Sequence, residues 1–413
     1  MNAWMRIIKG LGLFAALGVF ALLVLLGSLR LEHTFSTSTP APTGSFGVGR
    51  AIYDWVDATA LDSLAPVPGQ KRELLVWIWY PSQKRRTAGV PDSLPVAMRA
   101  SIERARTPGN PLASLMTNFL TRDPMKLRVH STPNAELSPE QRKYPVAIMR
   151  GGASSGVTNY STLAEDLASH GYVVVGFDAP YRTSVVVFPD GRTIRRTPEN
   201  NPELIFGRPD STRLINRLLA AWIADIGFTL DRLQQLDASD SSGRFTGRLD
   251  LTRVGVFGHS LGGATAAQFC HDDSRCKAGI DIDGAPLGTV VREGVPHPFM
   301  FLLADYGQAS DPASRTIMAN IQSIYDRVPA NERLRISIRG ANHFLFSDDG
   351  AFLKSHIVLS ALRLIGVVHI DGPRQLAVTA FAVRSFFDGF LKSGGMPSLR
   401  DSLPAYPEIR ILQ

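Results

Sequence analysis

Residues 253–269 read RVGVFGHSLGGATAAQF. The run RVGVF has the apolar, β-branched character of a buried strand, and LGGATAAQF has the small and apolar residues of a packed helix. Between them, Gly258-His259-Ser260-Leu261-Gly262 fits the pattern Gly-x-Ser-x-Gly. A strand that passes directly into a helix must turn sharply at the serine. That turn strains the serine backbone, and a side chain at either glycine would clash. The hydroxyl then projects beyond the sheet edge, where the start of the following helix stabilises negative charge. His259 is directed away by the same turn and reads as a packing residue.

Working outward, apolar runs of strand length alternate with helical segments. The strand candidates are 74–80, 146–150, 172–177, 254–257, 278–282, 298–304 and 334–338. Several are continuous and β-branched, as strands covered on both faces are. Helices are expected at 160–170, 211–236, 261–270, 313–327, 351–364 and 374–391. In the second, Leu214, Leu218, Trp222, Ile226, Leu230 and Leu233 fall on one stripe. The alternation predicts an α/β fold, a mainly parallel central sheet with helices on both faces. Two stretches break the rhythm. Residues 91–142 mix helical pieces with prolines and are a possible cap insertion. Residues 183–209 are polar, with Asp190-Gly191 placed for a hairpin turn.

The chain has 413 residues, 44% of them hydrophobic and 20% charged, enough apolar material for a large core. The net charge of +7 is dispersed, and its densest run is only Lys84-Arg85-Arg86. No zinc-finger, helix-turn-helix or RNA-binding pattern accompanies it, so nucleic acid is not an expected partner. Neither Cys-x-x-Cys nor His-Glu-x-x-His occurs, and no metal or cofactor is expected.

Residues 10–29 carry no charge, and as a helix they would cover about 30 Å, the apolar depth of a bilayer. Arg6 and Lys9 precede them, which places the amino terminus in the cytoplasm and the remainder outside it. Residues 1–32 are therefore read as a transmembrane anchor, the alternative being a cleaved signal segment and a secreted protein. The tract 33–49, rich in Ser, Thr, Pro and Gly, reads as a linker, and 50–413 as the catalytic domain.

A serine hydroxyl needs a base, and the base needs an acid to orient it. Behind this strand–turn–helix the acid and then the histidine follow the serine along the chain. His271, His297, His343, His356 and His369 are available. His343 stands in the loop directly after the last candidate strand, from which it can reach back over Ser260. For the acid, Asp281, Asp283 and Asp305 all lie at strand ends, and strand order alone slightly favours Asp305. An oxyanion needs two backbone N–H donors. Leu261 supplies one, and Gly152 in Arg150-Gly151-Gly152-Ala153 the other, with Ala153 next.

The stretches YPVAIMRGGA, LAEDLASHGYVVVGFDAPYRTS, GRLDLTRVGVFGHSLGGATAAQFC, CKAGIDIDGAPLG and IRGANHFLFSD together resemble the platelet-activating factor acetylhydrolase family, of the plasma type and its bacterial relatives, within the α/β-hydrolases. The resemblance covers roughly residues 47–391. It implies a metal-independent serine esterase that cleaves short acyl chains from phospholipid-like esters. It also moves the acid to Asp283, since Gly279-Ile280-Asp281-Ile282-Asp283 matches the family's Gly-Ile-x-x-Asp. Arg150-Gly151-Gly152-Ala153 departs from the usual His-Gly-x-Gly of the oxyanion loop, which bears on both the donor and the choice of substrate. Cys270 and Cys276 are close enough to close a small loop as a disulfide, consistent with a bacterial periplasm or another oxidising compartment; two free buried thiols are the alternative. The rival functions are a general carboxylesterase, a polyester hydrolase or a serine peptidase on the same scaffold, and an inactive membrane-tethered binding protein.

Overall fold

Uninterrupted runs of Val, Ile, Leu and Phe become the middle of a ten-stranded sheet. The computed structural model describes residues 3–83, 90–91, 94–106, 120–153, 155–205, 208–306, 311–352, 356–366, 369–396 and 404–412. The basic run at 84–86 and the portions 92–93 and 107–119 of the expected cap lie outside the described residues. In chain order the principal elements are α1 (Ala3–His33), β1 (Gly47–Leu61), β2 (Lys71–Ser82), β3 (Thr132–Pro133), β4 (Tyr144–Arg150), α2 (Ser161–Ser169), β5 (Val173–Asp178), α3 (Ser211–Ala238), β6 (Leu249–His259), α4 (Leu261–Asp272), β7 (Ala278–Ile282), β8 (Phe299–Leu303), α5 (Pro312–Arg327), β9 (Arg333–Ile338), α6 (Gly372–Phe387) and β10 (Ile409–Ile411).

Across the sheet the order is β10-β9-β8-β7-β6-β4-β5-β2-β1-β3. The six strands from β9 to β5 are mutually parallel. Antiparallel β10 closes one side, and β2 with β1 extends the other. Side chains alternate between the two faces along each strand. Ala147, Met149, Phe257 and Met300 pack beneath α2 and α6. Ile148, Val256, Phe269 and Phe301 pack with α3, α4 and α5 on the other face. The expected doubly covered, mainly parallel sheet is therefore what forms. The sequence reading omitted β1, β3 and β10. The stripe expected on α3 is buried at Leu218, Trp222, Ile226, Leu230 and Leu233, with Leu214 half-buried.

The helix α1 is longer than the apolar run that announced it, and from Leu11 to His33 it is long and apolar enough to cross a membrane. The segment after it, read as a linker, is bonded to the body. Thr37–Ser38 pairs in parallel with Leu127 and Arg128. Thr43 is held by Asp166 through its backbone N–H and its hydroxyl, at 2.8 and 2.7 Å. Phe46 is buried and bonds to Ser169. Polar composition there reflects side chains that bond to the body, not freedom from it. Within 91–142, the helix Val96–Arg106 lies against the hairpin, Ser101 donating to the Gly191 carbonyl at 2.9 Å. That hairpin pairs Val185–Val187 with Thr193–Arg195 around the expected Asp190-Gly191 turn.

Cys270 and Cys276 form a disulfide with Cα atoms 5.1 Å apart, both fully buried, which ties the end of α4 to the start of β7. The loop it closes is short, so most of its effect is a modest restriction of the unfolded chain. Replacing both cysteines by serine should lower the unfolding free energy by about 2 kcal/mol. Chemical unfolding of the two proteins side by side measures this, and equal midpoints would refute it.

Candidate active site

The parallel strands deliver the sequence-selected residues to one edge. Gly152 follows β4, Ser260 follows β6, Asp283 follows β7, Asp305 follows β8 and His343 follows β9. This is the carboxyl edge of the sheet, where open α/β folds place their chemistry.

Ser260 has φ +57° and ψ −123°, a conformation that residues with a Cβ rarely adopt. The strain is held by close backbone approach. A Cβ on Gly262 would lie 2.5 Å from the carbonyl oxygens of both Arg150 and Gly151. One on Gly258 would lie 2.8 Å from the Arg150 oxygen and strike the Gly262 carbonyl. The serine N–H is fixed by the Ile282 carbonyl at 2.9 Å. Ser260 is half-buried, and the N–H of Leu261 begins α4, among the first-turn donors a helix does not use itself.

His343 meets Asp283. Its Nδ1 is 2.6 Å from Asp283 Oδ2, and the carboxylate is almost wholly enclosed. Burying that charge demands hydrogen bonds. Asp283 Oδ1 accepts from the Ala304 N–H at 2.8 Å, and Oδ2 also accepts from the Tyr306 hydroxyl at 2.5 Å. Asp305, the choice from strand order, is engaged elsewhere: it accepts from the Gly340 N–H at 2.8 Å and pairs with Arg410 at 3.3 Å. Asp281 is fully buried behind the turn, accepting from the Gly284 N–H at 2.7 Å. Burial drives its carboxyl well above the usual range.

Because Nδ1 of His343 faces a carboxylate, it carries the proton and Nε2 is left basic. The His343 ring packs against the residue before the serine, the His259 and His343 ring centroids lying 4.6 Å apart. Ser260 and His343 are not hydrogen-bonded to each other in this arrangement. The other histidines lie elsewhere. His271, at the far end of α4, bonds to the Gly294 carbonyl at 2.7 Å; His297 precedes β8 and His369 is exposed. Of His356 the structure describes the backbone, at the start of the helix His356–Leu364.

Gly152 lies against Ser260, a Cβ there being 3.4 Å from Ser260 Cβ. Its N–H, however, donates to the Tyr160 oxygen at 3.0 Å, so the second oxyanion donor expected there is occupied in this arrangement. The Tyr160 oxygen lies 2.8 Å from His259 Nδ1. The chain Gly152–Tyr160–His259 thus ties the loop after β4 to the turn after β6. His259 is buried, and its pKa is lowered to about 3, first by burial and then by the neighbouring His343. The sequence reading of His259 as packing is extended by this bond. Tyr160 and Tyr306 were missed. Tyr306 follows Asp305 directly and was visible only as the residue after a candidate acid. Arg150 stands where the family pattern has histidine; its buried guanidinium donates to the Phe177 carbonyl at 2.6 Å and lies between the Phe177 and Trp222 rings. Among the described residues, no three His, Cys, Asp or Glu side chains converge as metal ligands.

The low pKa of His259 carries a pH dependence. Between the ordinary value of 6.5 and about 3, the unfolded chain binds a proton that the folded protein refuses. Stability is therefore lost as pH falls through that window. His259→Gln should flatten the acid slope of the unfolding free energy by about one proton, roughly 1.4 kcal/mol per pH unit. Denaturant titrations at pH 6.5 and 4.5 test it; parallel slopes for the two proteins would count against it.

Comparison with known proteins places this chain among esterases. The family model described as platelet-activating factor acetylhydrolase, isoform II, matches residues 34–186 and 219–390. A probable 1-alkyl-2-acetylglycerophosphocholine esterase of Arthroderma benhamiae is 24% identical over 388 residues, which are 90% of this chain and 93% of that protein. The platelet-activating factor acetylhydrolase of Cavia porcellus is 26% identical over 55% of this chain and 53% of its own length. That of Bos taurus is 27% identical over 50% and 48%. The chain thus spans about half the length of these two mammalian relatives. Among solved structures, a ferulic acid esterase from Streptomyces cinnamoneus superposes with a TM-score of 0.68 and 26% identity, covering 92% of this chain and 100% of that one. The architecture is that of an α/β-hydrolase.

Proposed function

The chain belongs to the platelet-activating factor acetylhydrolase, isoform II, family and is a carboxylic ester hydrolase; on that footing we propose that Ser260, His343 and Asp283 form its triad and that its substrates are phospholipid-like esters with a short acyl chain. The observation that carries the triad is the 2.6 Å contact of His343 Nδ1 with a buried Asp283, on the same sheet edge as the strained turn that holds Ser260.

His343 Nε2 takes the proton of Ser260 as the serine oxygen attacks the ester carbonyl. The two residues are unpaired before substrate arrives, and such contacts tighten in the reacting complex. Asp283 holds the ring and stabilises the imidazolium. The oxyanion is received by the N–H of Leu261 and by a second donor in the Gly152–Ala153 turn. Gly152 serves when the carbonyl oxygen displaces Tyr160 as its acceptor, and Ala153 is next in line. His343 then passes its proton to the leaving alcohol, and water repeats the sequence on the acyl-enzyme to release the acid.

The likeness to the Arthroderma benhamiae protein, a probable 1-alkyl-2-acetylglycerophosphocholine esterase, supports a 2-acetyl glycerophospholipid as substrate. The likeness to a ferulic acid esterase favours a second reading, a carboxylesterase acting on aromatic acyl esters. For α1 the proposal is an uncleaved anchor that keeps the catalytic body outside the cytoplasm and next to lipid, with export followed by cleavage as the alternative. The buried Cys270–Cys276 disulfide supports an oxidising compartment. Positive net charge would assist contact with anionic headgroups.

Ser260→Ala should reduce kcat for a short acyl ester by about 10⁴-fold or more without changing the circular dichroism spectrum. Hydrolysis of 1-alkyl-2-acetylglycerophosphocholine should exceed that of its long-acyl counterpart and of methyl ferulate. Retained turnover in Ser260→Ala would remove the triad; preference for methyl ferulate would select the second reading.

A further inference from the structure

Asp283 Oδ2 receives two donors, and only one of them belongs to the proposed triad. The second is the hydroxyl of Tyr306, 2.5 Å from Oδ2 and 3.5 Å from His343 Nδ1. Tyr306 stands two residues beyond Ala304, whose N–H holds the other carboxylate oxygen. The strand end after β8 therefore grips Asp283 twice, from backbone and from side chain. The tyrosine is half exposed, so its hydroxyl is not explained by packing alone.

We propose that Tyr306 is a positioning residue of the hydrolysis: its hydroxyl fixes the Asp283 carboxylate against His343 and takes up part of the carboxylate charge. The proposal rests on the triad reading above and adds a residue to it. A carboxylate with one hydrogen-bonded oxygen can rotate about its Cβ–Cγ bond; gripped at both oxygens, it presents Oδ2 to the imidazole in one orientation. Short O–H···O⁻ bonds are among the stronger hydrogen bonds in proteins. The phenol keeps its proton throughout the working range, since burial and then the Asp283 charge raise its pKa. Sharing the carboxylate between two donors also limits how strongly Asp283 holds the proton on His343. The other titratable groups that face this pair are His259 from the turn after β6 and Asp281 from β7.

The test is Tyr306→Phe in the full chain, assayed on a short acyl p-nitrophenyl ester beside wild type and Asp283→Asn. Loss of the hydroxyl should lower kcat about tenfold and leave KM within about twofold. The acid limb of the kcat/KM profile should move to higher pH by about half a unit, because the unshared carboxylate retains the imidazolium proton more strongly. A wild-type kcat and an unmoved acid limb would overturn the proposal. So would a fall in kcat with the limb unmoved and the thermal midpoint lowered, since that pattern marks a structural wall. The Asp283→Asn arm separates the two levels. If that variant turns over like wild type, the triad assignment fails and Tyr306 loses its role with it. If it is inactive while Tyr306→Phe is normal, only the role of Tyr306 is removed.

Discussion

Backbone passes against backbone at the turn after β6, and the site is built on that closeness. Gly258 and Gly262 face the carbonyls of Arg150 and Gly151 at distances no Cβ could share. This contact has two effects. It holds Ser260 in a strained backbone conformation at the end of β6. It also brings the loop after β4 against Ser260, so that the segment expected to receive an oxyanion is positioned by the same atoms that strain the serine. Two adjacent parallel strands, β4 and β6, carry both halves. Any loosening between them would disturb the serine turn and the loop after β4 together.

Three aspartates near this edge show how environment divides one side chain among different tasks. Asp281 has two closely packed glycines around it and is pushed toward its neutral form. Asp305 is spent on the Gly340 amide and on Arg410, stitching β8 to the last strands. Asp283 alone of the three combines enclosure with donors on both oxygens, including His343. A buried ion with that many partners is fixed in direction as well as in charge. Below the sheet edge a second buried set, Arg182 with Asp62 and Asp225, binds the loop after β5 to α3 through bonds of 2.7 to 3.0 Å. It keeps the loop after β5 in place.

Much of this was legible in the chain. The central parallel strands announced themselves because both faces are buried and the apolar run is unbroken, as in Val173–Asp178 and Phe299–Leu303. The glycine spacing around Ser260 gained its meaning from context, a buried strand before it and a packed helix after it. The edge strands were harder. Gly47–Leu61 is long, but its outer half alternates with solvent-facing residues, and Ile409–Ile411 is too short to leave a pattern. The tract 33–49 reads as a linker because nothing local announces its contacts: the Thr43 hydroxyl donates to Asp166 and the Gly44 N–H to the Ser169 hydroxyl, both far away in the chain. For the same reason composition could not separate Asp283 from Asp305; their partners, Ala304 N–H and Arg410, come from other elements. Tyr160 and Tyr306 have meaning only through what they touch.

The end of α1 does not hang free. His33 bonds to the Thr121 carbonyl at 2.7 Å, Glu32 pairs with Arg122 at 3.3 Å, and Lys126 donates to the Thr34 carbonyl at 2.7 Å. Beyond them, Thr37–Ser38 is stitched to Leu127 and Arg128. A helix clasped in this way behaves as a post and not as a leash. Seated in a bilayer, it would hold the enzyme at one height and one tilt, so the lipids within reach would be set by the angle of the post and not by the sweep of a tether.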